Sequence, residues 1–118
     1  MEDLIRKTVI AAKKAAPNNW YEQRTIIGKV IEELANKNPK VFQKQELADG
    51  RIVVLFFYVE GDFYFWWDGI RDGYVVECSG LERAITDPVN GKIKTEIMWS
   101  SDPDNDEPLI PQLPIYFK

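Results

Sequence analysis

The residues of this chain that could do chemistry are one cysteine and a spread of carboxylates, with no histidine beside them. Cys78 would need a base or a positive environment to become a reactive thiolate. The absence of histidine removes the commonest general base, the usual zinc ligand and the physiological pH switch. Cys78 also alternates with Tyr74 and Val76, which predicts a buried structural thiol on a strand. Glu60, Asp62, Asp68, Asp72, Glu77 and Glu96 could in principle pair across a scissile bond. Most of them stand beside glycine in turn positions, where aspartate is expected for backbone reasons. Asp102, Asp104, Asp106 and Glu107 alternate like calcium ligands. Their run lacks the central glycine and the closing glutamate of an EF-hand loop, so it reads as a solvated acidic segment. No enzyme activity, cofactor or metal is expected from this set.

Charge is unevenly placed. Residues 1–59 hold ten basic and seven acidic groups, net +3; residues 60–118 hold five and twelve, net −7. An acidic half that also carries aromatics suits a basic protein partner. It repels phosphate, which argues against nucleic acid. The longest apolar run, residues 52–59, is far too short for a membrane helix. The start lacks a basic stretch followed by an apolar segment, so no secretory signal is read. A lone cysteine excludes an internal disulfide and points to a cytoplasmic protein, monomer or homodimer. The length of 118 residues fits a single domain.

The elements that must position these groups divide into two kinds. Leu4, Ile5, Thr8, Val9, Ala12 and Ala16 fall on one helical stripe that Pro17 ends. Asn19 opens a second helix, with Glu22 at capping-box spacing and Ile27, Val30, Ile31, Leu34 and Ala35 as its stripe. Gly28 inside that helix either allows close approach to a neighbour or is incidental. From Lys40 onward the period becomes two. Strands are predicted over 41–47, 51–59, 62–67, 74–78 and 92–99. Turns are marked by Asp49-Gly50, Gly61, Asp68-Gly69, Asp72-Gly73 and Asn90-Gly91, and a helical turn is read over 81–85. Leu109 to Lys118 is too apolar for a loose tail and holds Pro111 and Pro114, which predicts an extended segment lying across the domain. The fold class is α+β: two N-terminal helices packed on one face of a four- to five-stranded, mostly antiparallel sheet.

Residues 52–67, IVVLFFYVEGDFYFWW, form the hairpin at its centre. Phe63, Phe65 and Trp67 should share one face, with Tyr64 and Trp66 on the other. One set enters the core; the other is expected to face solvent, the C-terminal segment or another protein. In size and charge the chain resembles the small immunity proteins that neutralise basic, nuclease-type bacterial toxins. The expected partner-binding residues are Tyr64, Trp66, Asp68, Asp72, Asp102, Asp104, Asp106 and Glu107. The alternative is a small-molecule-binding domain or enzyme with a pocket between helices and sheet, lined by Tyr58, Tyr64, Trp66, Tyr74 and Glu77.

Overall fold

A computed structural model describes residues 4–47, 52–71, 75–86, 93–102 and 107–109. Two helices are followed by a five-stranded antiparallel sheet: α1 (Leu4–Ala15), α2 (Trp20–Lys37), a short 3-10 turn (Pro39–Val41), β1 (Gln43–Leu47), β2 (Ile52–Val59), β3 (Asp62–Arg71), β4 (Val75–Thr86) and β5 (Ile93–Ser100). The strands lie in sequence order, each antiparallel to the next. The helices cover one face, as an α+β fold requires.

Local chemistry sets the helix boundaries. Pro17 cannot continue α1, and Asn18 adopts a left-handed backbone (φ 61) that turns the chain. The Asn19 side chain then accepts the Glu22 N–H at 3.1 Å, capping α2. Asn38 closes α2 by donating its N–H to the Leu34 carbonyl. Ile5, Val9 and Ala12 of α1 and Ile27 and Ile31 of α2 are buried against Phe57, Tyr64, Trp66, Leu81 and Trp99 of the sheet.

The central hairpin has the expected form. Val59 pairs with Asp62, leaving Glu60 and Gly61 as a two-residue turn, both at positive φ (54 and 88). That geometry matches the right-handed twist of the strands it joins. At Asp49-Gly50 the connection is longer than the two-residue hairpin expected, because Leu47 pairs with Ile52. Asp49-Gly50, Asp72-Gly73 and Asn90-Gly91 themselves lie outside the described residues, as do 110–118.

Two expectations are corrected. The segment read as a short strand followed by a helical turn over 81–85 is one twelve-residue strand, β4. Gly80 is needed inside the strand, because an added Cβ would overlap the Trp67 indole. The second concerns Asp68-Gly69, read as a turn: both lie inside β3, opposite Ser79 and Cys78. The pairing of β5 with β4 is irregular. A register shift opposite Leu81/Glu82 inserts one residue, so Trp99 joins the helix-side core while Thr95 faces Glu82 on the other side.

The sheet therefore has two apolar faces. Away from the helices, Val54, Phe56, Phe65 and Trp67 form a second buried cluster, with Ile52, Phe63, Cys78, Ala84 and Leu109 packed around it.

Candidate functional site

Where α1 hands over to α2, the end of β5 runs alongside. Gln23 fastens the three together: its amide donates to the Ala16 carbonyl (2.8 Å) and accepts the Trp99 indole N–H (2.9 Å). Trp99 in turn stacks on Trp66, with ring centroids 5.9 Å apart. Between the helical corner and the strand end lies an open cleft of about 660 Å³, lined by Lys13, Trp20, Gln23, Met98, Trp99, Ser100 and Asp102 among others. Ile97, Met98, Trp20 and Trp99 share this lining with polar groups, and Asp102 is the first acid of the acidic run.

A chain of polar contacts leads from α2 to the residue before Asp102. Arg24 on α2 donates from Nε and Nη2 to the two carboxylate oxygens of Asp68, each at 3.3 Å. Ser79 Oγ donates to Asp68 Oδ1 at 2.7 Å and accepts from Arg24 Nε at 3.2 Å. The Ser79 backbone exchanges two bonds with Ser101, accepting from its N–H and donating to its Oγ, both at 2.9 Å. Asp102 follows directly, exposed, its N–H donating to Ser100 Oγ at 3.1 Å. Ser101 is thus tied to β4, and through Ser79 to β3 and α2, directly before Asp102.

The expected contact residues fare differently. Tyr64 is fully buried and Trp66 is 4% exposed, so neither presents a ring to a partner. Both faces of the sheet are covered at β3, which the alternation of side chains cannot reveal. Asp68 is about one-fifth exposed and is engaged by Arg24 and Ser79. Asp102 and Glu107 are exposed at the two ends of the acidic run. Asp72, Asp104 and Asp106 lie outside the described residues.

The residues expected to line a pocket between helices and sheet do not come together. Tyr64 is sealed in the core. Tyr58 is half exposed and stacks on Phe63, whose β3 position places it on the far face. Trp66 contributes to a second open cleft of about 540 Å³, with Arg24, Gly28, Lys29, Leu55 and Asp68. Tyr74 lies outside the described residues, as does the side chain of Glu77.

Several carboxylates of the acidic half are internally engaged. Arg83 lies 2.8 Å from Glu96 and 3.6 Å from Asp62. Burial works against its charge, but Glu96 and then Asp62 outweigh it and hold the guanidinium charged above its ordinary value. A raised folded-state value stabilises the fold below the ordinary arginine range and fades only above it, so the pair persists at every physiological pH.

Glu82 was not singled out in the sequence. It is 1% exposed and accepts from Trp67 Nε1 (2.6 Å), Thr95 Oγ1 (2.7 Å) and the Leu109 N–H (3.2 Å). Reading 78–85 as alternating strand would have placed Cys78, Gly80, Glu82 and Ala84 on one face. Three donors around one buried carboxylate make a structural node. Among the described residues, no three His, Cys, Asp or Glu side chains converge to hold a metal ion, and no helix is long and apolar enough to cross a membrane. Comparison with protein-family models, with curated proteins and with solved structures finds no match.

Proposed function

We propose that this chain is a non-enzymatic protein-binding domain for a basic partner, and specifically an immunity protein that neutralises a nuclease-type bacterial toxin. One observation carries the reading: Asp102, the first acid of the run SSDPDNDEP, lines the same cleft as Trp20, Met98 and Trp99. Such a cleft accepts the apolar shaft of a lysine or arginine, while the carboxylates beyond it attract the charged head. Lys13 on the cleft wall sets the direction, since it repels a cationic head that Asp102 draws in. Toxins that grip phosphate are basic in the groove that does so, and an acidic ligand competes for that groove.

The test is calorimetric titration of the chain with a purified basic nuclease domain encoded beside it, at low and high salt. Asp102→Asn, Asp104→Asn, Asp106→Asn and Glu107→Gln together should weaken binding roughly tenfold or more and flatten the salt dependence. Unchanged affinity would remove the acidic segment from the contact.

A further inference from the structure

The two edges of the sheet are built differently. β5 carries an irregular pairing and the buried Thr95. β1 is regular, with Gln43 to Leu47 opposite Phe56 to Ile52 residue for residue. Among the described residues it pairs on one side only. Gln43, Lys44, Gln45 and Glu46 are all exposed, so nothing packs over either face of the strand there. No proline or bulge interrupts it. The outward N–H and C=O groups of such an edge are a template for another strand.

The charges on β1 choose the occupant. Lys44 and Glu46 lie opposite Leu55 and Val53, on the helix side; Gln43 and Gln45 lie opposite Phe56 and Val54, on the far side. Neither Lys44 nor Glu46 forms an ion pair with another described residue. A lone edge lysine deters pairing between copies. Here an acid follows two residues later on the same face. When a second copy pairs antiparallel about a two-fold axis at Gln45, each Lys44 stands opposite the other copy's Glu46, and the two Gln45 amides meet on the far side. An axis at Lys44 or at Glu46 instead sets that residue against itself, so charge selects one register.

We propose that β1 is a dimerisation edge, where two copies of this chain join into one ten-stranded antiparallel sheet with the helices of both on the same face. β5 and its cleft lie at the opposite edge, so this contact is independent of the reading given above for the acidic run. Five residues a side make a small seam, which sets a weak dimer with a dissociation constant on the order of 0.1 mM.

Sedimentation equilibrium between about 10 µM and 1 mM should show monomer passing to dimer. Lys44→Glu and Glu46→Lys, each alone, should weaken the dimer roughly tenfold or more, because like charges then face across the seam. An equimolar mixture of the two variants should associate again, and so should the chain carrying both reversals, since opposite charges are then restored. Loss of fold in a single variant cannot produce that rescue. In the wild-type chain, amide hydrogen exchange at Gln43 to Leu47 should slow as concentration rises, a reading that needs no variant. A monomer throughout the range overturns the proposal. A dimer indifferent to both single reversals, or a mixture that stays monomeric, also overturns it, because the copies then meet through another surface or another register.

Discussion

Gly80, Trp67 and Glu82 show how one small residue controls a larger one. An added Cβ at Gly80 would overlap the Trp67 indole, and that ring cannot swing away because its N–H is bonded to Glu82. Gly80→Ala should therefore lower stability by about 1–3 kcal/mol, the usual cost of overpacking, as measured by urea unfolding. Asp68 makes a different residue-scale point. In sequence it is one exposed-looking acid among many; in the fold Arg24 and Ser79 hold it at a site about one-fifth exposed. Asp68→Asn should cost roughly 1 kcal/mol of stability after allowance for solvent screening. It should leave partner affinity unchanged if Asp68 acts as support rather than contact, so a large loss of affinity without loss of stability would return it to the interface.

Among the elements, the helices were legible in detail. Their stripes, the proline stop and the asparagine cap all involve residues within one or two turns of each other, so spacing alone carries the information. Of the two readings of Gly28, close approach holds: the helix descends on Trp66 there. A Cβ at Gly28 would lie 3.4 Å from the indole, an ordinary contact. Gly28→Ala should accordingly raise stability by about 0.5–1 kcal/mol through helix propensity, visible as a higher melting temperature. A fall would mean the helix cannot shift even slightly. The strands were less legible where side-chain demands cross from one to the next. The helical turn read over 81–85 missed the continuous strand because the demand on Gly80, the Trp67 ring, comes from β3. The irregularity in β5 is set by pairing with β4, and no local feature of 93–100 announces it.

On the scale of the whole molecule, net charge is a poor guide to the charge a partner meets. Of the acidic groups in the second half, Asp68 is paired with Arg24, Asp62 and Glu96 flank Arg83, and Glu82 is buried among donors. Asp102 and Glu107, at the two ends of the acidic run, are exposed. Neutralising that run should change fold stability by no more than about 0.5 kcal/mol, as for other surface substitutions, while partner binding falls. Denaturant melts beside the titrations separate the two effects, and a strongly destabilised variant would show that the run belongs to the framework. By itself the sequence determined two helices, a central aromatic hairpin and an α+β architecture, because helical and strand periodicities and turn chemistry act over a few residues. The tertiary structure alone decided which rings and carboxylates remain available. Arg24 with Asp68, Gln23 with Trp99 and Glu82 with Leu109 are far apart along the chain, and folding is what makes each pair neighbours.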